Sequence, residues 1–213
     1  MKLYSYYRSS AAYRVRIALH LKGLACEQIA VNLLKGEDHS ADYRRINPQG
    51  LVPALVADDG RVLTQSLAIC EYLEDICPSP ALLPADPPGR ARVRALAALP
   101  ACEIHPLNNL RVLQYLTGTL GATEEQKLAW YRYWVAEGFA ALEALLADSA
   151  DTGLCCHGDQ PTLADVFLVP QVFNARRYQC DLAPYPTIRR ISGHCKALPA
   201  FLEAHPARQP DAG

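Results

Sequence analysis

Two adjacent serines stand where a β-prone run gives way to a helical pattern. Residues 3–6 are β-prone, Ser9 and Ser10 follow them, and from Ala12 onward apolar residues recur at helical spacing. The N-terminus of a helix carries unpaired N–H groups and a partial positive charge, so it favours an anion. A serine hydroxyl at this point can also donate a hydrogen bond to a bound thiolate. The serine pair is therefore either an anion site or an ordinary N-cap.

A second polar cluster lies around a turn and a second helix start. The Val52-Pro53 step can be cis, which leaves the backbone groups of Val52 free to pair with a peptide-like ligand. Ser66 can cap a helix and hold a carboxylate, and Gln65 can add a side-chain hydrogen bond. Two helix N-termini and an exposed strand edge in one small domain suit the binding of an anionic peptide. The alternative is that these residues only form a turn and cap a helix.

The elements that must position these residues follow from hydrophobic periodicity. The first 80 residues alternate between strand and helix patterns, which predicts a small mixed sheet with helices on both faces. Gly23 is placed to end the first helix, and an Asp-Gly turn joins the last two strands. The predicted elements are strands at residues 3–6, 29–33, 54–57 and 61–63, and helices at residues 12–22 and 66–76.

The sequence changes character after a proline-rich stretch. Five prolines between positions 78 and 88 predict a linker, beyond which the strand patterns stop. Thr162 and Asp165 form a capping box, whose role is in folding. The predicted domains are residues 1–80, a linker at 81–89 and an all-helical domain at 90–213. Within the helical domain we expect a helix at 90–116 with a kink near His105 caused by Pro106, helices at 124–146 and 162–178, and shorter helices at 186–202.

Composition excludes several classes of protein. The formal net charge of −1 argues against a dedicated nucleic-acid binder, and no run approaches the ~18 apolar residues that a membrane helix needs. The N-terminal residues lack the apolar core of a signal peptide. The eight cysteines contain no C-x-x-C pair and no histidine spacing typical of a zinc site, so we expect reduced thiols, no metal and a cytoplasmic protein.

Several segments together resemble the zeta-class glutathione transferases. They are Ser9-Ser10-Ala11-Ala12-Tyr13-Arg14-Val15-Arg16-Ile17-Ala18-Leu19, Asn47-Pro48 with Val52-Pro53, Gln65-Ser66-Leu67-Ala68-Ile69, residues 165–171 and residues 181–186. They cover nearly the whole chain. The resemblance implies a thioredoxin-like N-terminal domain, an all-helical C-terminal domain that forms the substrate site, a homodimer, and glutathione as cofactor.

The resemblance also assigns roles to single residues. The class motif has Ser-Ser-Cys, so Ser9 and Ser10 are both expected in the catalytic, glutathione-binding site, with Ser9 steadying the thiolate, and Ala11 replaces the cysteine. Loss of that cysteine leaves the main mechanism intact, because the reacting sulfur belongs to glutathione. The further residues expected to bind glutathione are His39, Val52, Gln65, Ser66, His105, Asn109 and Arg111.

The implied reaction is a cis–trans isomerisation of a maleyl dicarboxylate. The thiolate adds to a carbon of the cis double bond, the former double bond, now single, rotates, and elimination of the thiolate returns the trans alkene. Arg8, Arg176 and Arg177 are expected to hold the substrate carboxylates, because arginine can grip a carboxylate with two parallel hydrogen bonds. The implied substrate is maleylacetoacetate, in tyrosine and phenylalanine breakdown. Maleylpyruvate as substrate, and a non-catalytic glutathione-binding protein on the same scaffold, stay open as alternatives.

Overall fold

Two compact units make up the chain. A computed structural model describes residues 1–212. The first unit consists of residues 1–82 and the segment from Ala197 onward, which we call the C-terminal tail, and the second consists of residues 83–196.

The first unit is built on a four-stranded mixed sheet. Its strands are β1 (Lys2–Ser5), β2 (Glu27–Ala30), β3 (Ala54–Val56) and β4 (Val62–Thr64), in the order β2-β1-β3-β4. β1 pairs with β2 in parallel, and the other two pairs are antiparallel. The mixed sheet confirms the sequence prediction, although the second strand begins and ends earlier than predicted. It ends before Asn32 because that side chain accepts hydrogen bonds from two amides of a short 3₁₀ turn.

Three α-helices accompany this sheet: α1 (Ser10–Lys22), α2 (Ala41–Ile46) and α3 (Ser66–Ile76). α1 ends at Gly23, as predicted, and the φ of 64° at this residue is the left-handed conformation that glycine adopts readily. Ser66 is the first residue of α3, and the N-cap position belongs to Gln65, so the predicted capping role of Ser66 is wrong. Its hydroxyl instead accepts a hydrogen bond from Arg14 Nη1 of α1, at 3.1 Å.

The second unit is helical. Its helices are α4 (Pro87–Ala98), α5 (Leu110–Gly118), α6 (Glu124–Ala147), α7 (Leu163–Arg177) and α8 (Pro186–Cys195). α7 is buried along most of its length and packs against α4 and α8, as expected for a central helix. Its predicted capping box is present.

The single kinked helix predicted for residues 90–116 is wrong. α4 passes into a π-helical segment (Leu99–Ile104), and a 3₁₀ turn (Pro106–Asn108) separates this from α5. Pro100 and Pro106 lack the N–H groups that a regular helix would use here. The π-helical segment also packs closely on α6, where a Cβ on Gly138 would lie 2.3 Å from Ile104 Cγ1.

The predicted linker at residues 81–89 runs into the first residues of a helix. Leu82 and Leu83 are buried, and α4 already begins at Pro87. Asp86 caps that helix by accepting a hydrogen bond from the Gly89 N–H at 2.8 Å. Proline is suited to the first helical position, because its fixed φ matches the helix and no donor is lost there.

The C-terminal tail, predicted as part of the helical domain, packs with the first unit instead. A short helix, α9 (Pro199–Glu203), lies against α1. The Tyr13 hydroxyl donates to Phe201 O at 3.3 Å, and Arg16 Nε donates to Ala204 O at 3.1 Å. Because Arg16 is buried, its donors need protein acceptors, and the tail supplies one of them.

None of the helices in residues 1–212 combines the length and the apolar character required to cross a lipid bilayer.

Candidate functional site

The serine pair lies at the start of α1. Ser9 is the N-cap, and its Oγ accepts a hydrogen bond from the Ala12 N–H at 3.2 Å. Ser9 is half-buried, whereas Ser10 is buried. A hydroxyl oxygen that accepts one bond keeps its own O–H as a donor. The cap and the proposed bond to a thiolate are therefore compatible at Ser9.

The backbone of Val52 offers unpaired hydrogen-bonding groups to a ligand. The Val52-Pro53 bond is cis, as predicted. The Val52 side chain belongs to a buried cluster with Tyr6, Val31 and Tyr43, which holds this segment against the chain that leads to Ser9. Within residues 1–212, no hydrogen bond engages the N–H or the C=O of Val52. Both groups are thus available to the backbone of a peptide-like ligand.

Gln65 has an unusual backbone conformation. Its φ of 68° and ψ of 116° lie outside the regions that a residue with a side chain normally occupies. Such a conformation costs about 1–3 kcal/mol and clusters at ligand sites. The exposed Gln65 side chain donates from Nε2 to Gln49 Oε1 at 2.9 Å. Gln49 was not predicted, because its only signal is its place in the turn before Val52.

His39 lies beside the same turn. A Cβ on Gly50 would lie 3.2 Å from His39 Nδ1, and Arg44 Nη2 lies 3.4 Å from that nitrogen. The first unit therefore brings His39 next to the segment that carries Val52. It also brings Ser66 to α1 through Arg14.

Arg8 is exposed and contacts the residue before it. Arg8 Nε donates to the Tyr7 hydroxyl at 2.5 Å, and the centre of the guanidinium lies 4.9 Å from the Tyr7 ring centroid. Both are favourable contacts for a cation.

Three residues of the second unit are predicted to bind glutathione, and Asn109 contacts the other two. Asn109 is the N-cap of α5, where its Oδ1 accepts from the Arg111 N–H at 3.2 Å. Its Nδ2 lies 3.5 Å from His105 Nε2. The structure therefore groups these three residues around one helix start.

Arg176 and Arg177 are exposed at the end of α7. Arg177 Nη1 donates to Asn174 Oδ1 at 3.4 Å, and its guanidinium centre lies 5.4 Å from the Tyr178 ring centroid. Tyr178 is itself stacked on Tyr131, with ring centroids 3.7 Å apart. Sequence reasoning missed these neighbours, although Asn174 is one helical turn away.

A buried cluster of Cys155, Asp165 and Cys195 has residue types that can bind a metal, with ligand atoms within 4.8 Å of one another. The Asp165 carboxylate, however, accepts hydrogen bonds from Cys156 N and from Thr162 N and Oγ, at 2.8–2.9 Å. The hydrogen bond with Cys155 and burial raise the pKa of the Cys195 thiol far above its ordinary value. A protonated thiol and a saturated carboxylate make this a fold-stabilising cluster, in keeping with the predicted role of the capping box.

Two family models match most of the chain. The description "Glutathione S-transferase, N-terminal domain" matches residues 3–81, and "Glutathione S-transferase, C-terminal domain" matches residues 129–207. The chain belongs to the glutathione S-transferase family. This confirms the predicted thioredoxin-like and all-helical fold classes.

Full-length relatives of this transferase are named as isomerases. It is 54% identical over 212 residues to a maleylpyruvate isomerase from a Ralstonia species, covering 99% of each chain. It is 52% identical over 213 residues to maleylacetoacetate isomerase from Pseudomonas aeruginosa, covering 99% of this chain and 98% of the relative.

The solved structures that this chain resembles are also named as maleylpyruvate and maleylacetoacetate isomerases. The holo structure of a bacterial maleylpyruvate isomerase, described as a zeta-class glutathione transferase, matches with a TM-score of 0.98 and 53% identity over 100% of both chains. Maleylacetoacetate isomerase from Methylobacterium extorquens AM1, solved with bound malonate and glutathione, matches with a TM-score of 0.97 and 45% identity over 100% of both chains. The resemblance to the zeta class is therefore confirmed.

Proposed function

We propose that this chain is a glutathione-dependent cis–trans isomerase that converts maleylacetoacetate to fumarylacetoacetate. The observation that carries the proposal is the full-length match, at 52% identity, to a relative of that name. The maleylpyruvate isomerase at 54% identity makes maleylpyruvate the second candidate substrate. Both substrates present a cis double bond and two carboxylates to the same site chemistry.

The first unit fits glutathione by its hydrogen-bonding groups. The unpaired N–H and C=O of Val52 match the backbone of a tripeptide, and the N-terminus of α3 at Ser66 suits its α-carboxylate. The exposed side-chain amide of Gln65 can form a hydrogen bond with the same end of the tripeptide. We assign His39, together with His105, Asn109 and Arg111, to further contacts with the tripeptide.

Ser9 has the role of stabilising the sulfur. When bound, glutathione supplies the thiolate that adds to the double bond and leaves again after rotation. The Ser9 hydroxyl donates a hydrogen bond to that thiolate, and the N-terminus of α1 favours its negative charge. Ser10, buried at the first position of α1, is the second serine that we assign to the glutathione site, with a smaller part in turnover than Ser9.

Arginines bind the substrate dianion. We assign Arg8 and Arg177 to its carboxylates, with Arg176 as a further cation at the end of α7. A guanidinium can bind a carboxylate with two parallel hydrogen bonds, which holds the substrate while the former double bond, made single by thiolate addition, rotates. We also propose that the chain acts as a homodimer, as the resemblance to its family implies, and that it works in the cytoplasm, as expected from its cysteine pattern.

The experiment is a turnover assay with both maleyl substrates, each with and without glutathione. The proposal expects trans product only when glutathione is present, with the higher kcat/KM for maleylacetoacetate. A higher kcat/KM for maleylpyruvate would reassign the substrate. Glutathione binding without turnover of either substrate would favour the non-catalytic alternative.

A further inference from the structure

Both backbone groups of Tyr7 are held by side chains, one from α1 and one from the C-terminal tail. The Tyr7 N–H donates to Asp211 Oδ2 at 2.9 Å, and the Tyr7 carbonyl accepts from Arg16 Nη2 at 2.9 Å. Arg16 also donates to Ala204 O at 3.1 Å, so the same arginine holds the C-terminal tail. The backbone of Tyr7, directly before Arg8, is therefore hydrogen-bonded on one side to α1 and on the other to the tail.

The two side chains that hold the Tyr7 backbone support each other electrostatically. Burial lowers the pKa of the Arg16 guanidinium to about 10, and the nearby Asp211 carboxylate opposes that shift. Arg16 is thus charged at neutral pH. Hydrogen bonds to charged groups are the stronger kind, and here both Tyr7 bonds have a charged partner.

The Tyr7 side chain in turn holds Arg8. Its hydroxyl accepts from Arg8 Nε at 2.5 Å, and its ring lies 4.9 Å from the guanidinium centre. The ring also packs edge-on against Tyr6, with centroids 4.8 Å apart, and Tyr6 is part of the buried cluster that contains Val52. An exposed arginine would otherwise sample many rotamers, and ordering it costs free energy on binding.

We infer that Tyr7 is the positioning residue for Arg8, and that Asp211 contributes by fixing the Tyr7 peptide. The inference rests on the proposed function, since it needs Arg8 to bind a carboxylate of the maleyl dicarboxylate. The C-terminal tail would then act on substrate affinity without touching the substrate. It reaches the Tyr7 backbone directly through Asp211 and indirectly through Arg16, which is bonded to Ala204 O.

The first test is Tyr7→Phe, which removes the hydroxyl acceptor and keeps the ring. We expect KM for the maleyl substrate to rise about tenfold with little change in kcat, because the lost bond involves a charged donor. Binding of malonate to the glutathione-saturated protein, measured by calorimetry, should weaken by the same factor. Glutathione affinity should be unchanged.

A double-mutant cycle with Arg8→Met separates positioning from a general structural effect. If Tyr7 acts through Arg8, Tyr7→Phe should weaken malonate binding in the wild-type chain and have no further effect in the Arg8→Met background. An equal loss in both backgrounds would overturn the inference while leaving the proposed role of Arg8 intact. If Arg8→Met alone leaves malonate binding unchanged, Arg8 is not a carboxylate ligand, and the assignment made under the proposed function fails first.

Asp211 is tested by rescue. Asp211→Ala should weaken malonate binding several-fold, whereas Asp211→Asn, which keeps an acceptor oxygen but loses the charge, should recover part of that loss. The matched control is Glu203→Gln, which removes an exposed acidic residue of the same tail that pairs with Arg208. Malonate binding that is unaltered in Asp211→Ala, or weakened equally in Glu203→Gln, would overturn the role of Asp211.

Discussion

The Ser9 hydroxyl oxygen accepts a hydrogen bond from the Ala12 amide at 3.2 Å, so the residue proposed to stabilise the thiolate also caps α1. The two roles use different parts of the hydroxyl, because the cap needs a lone pair and the thiolate needs the O–H. A substitution can therefore remove one role and keep the other.

Ser9→Ala should lower turnover by about a hundredfold or more, because it removes a donor to the reacting sulfur. Ser10→Ala should have a smaller effect. Ser9→Asp is the informative companion, since aspartate is a good N-cap but has no proton to donate. We expect it to be inactive while its melting temperature stays near that of the wild type. Turnover of Ser9→Ala close to the wild-type value would contradict the assignment.

The strained conformation of Gln65 predicts opposite changes in stability and binding. In Gln65→Gly, the positive φ becomes permissible, and the gain exceeds the added entropy of the unfolded chain, so the ligand-free protein should gain about 1 kcal/mol. Glutathione affinity should fall about tenfold, because the side-chain amide is lost. Gln65→Ala is the control, for it loses the amide and keeps the strain. Equal urea stability of the two variants would show that the conformation stores no energy.

Arg177→Met should reduce kcat/KM for the maleyl substrate by about thirtyfold, since a desolvated carboxylate loses its partner. Glutathione affinity should change much less. Arg189→Met removes an exposed arginine of α8 and should leave both quantities unaltered. If glutathione affinity falls as far as kcat/KM does in Arg177→Met, this arginine serves the cofactor. If neither quantity moves, Arg177 does not bind the substrate.

Local sequence signals predicted the features that depend on neighbouring residues. Gly23 ends α1, and the capping box opens α7, because each is determined by residues within one helical turn. The features that were missed depend on partners far apart in sequence. Gln65 bonds Gln49, 16 positions away, and Arg16 bonds Ala204, 188 positions away. The tail was therefore assigned by its helical pattern, whereas its buried partner decides where it packs.

The oligomeric state is a further prediction. Multi-angle light scattering at micromolar concentration should give a mass about twice that of the 23.4 kDa chain. Two-fold homodimers are the commonest soluble oligomers, and the family resemblance implies one here. A mass equal to a single chain over this concentration range would contradict the homodimer.

The buried thiol of Cys70 predicts how stability changes in alkali. Burial in α3 raises the pKa of this thiol from its ordinary value of 9.0 to about 12. Above about pH 9 the unfolded chain therefore releases this proton while the folded chain keeps it. Because the unfolded state then binds fewer protons, the free energy of unfolding falls as pH rises from about 9 to about 12, and the full contribution is present only below that range.

Cys70→Ala lacks the titrating group, so it should lose less stability over the same range. Between about pH 9 and pH 10, the wild type should lose ~1 kcal/mol more than the variant, in urea titrations at each pH. Any cost of the smaller side chain is the same at both pH values and cancels in this difference. Cys102→Ala, which removes an exposed thiol, is the matched control and should follow the wild type. Parallel curves for the wild type and Cys70→Ala would mean that the Cys70 thiol ionises equally in the folded and unfolded chains.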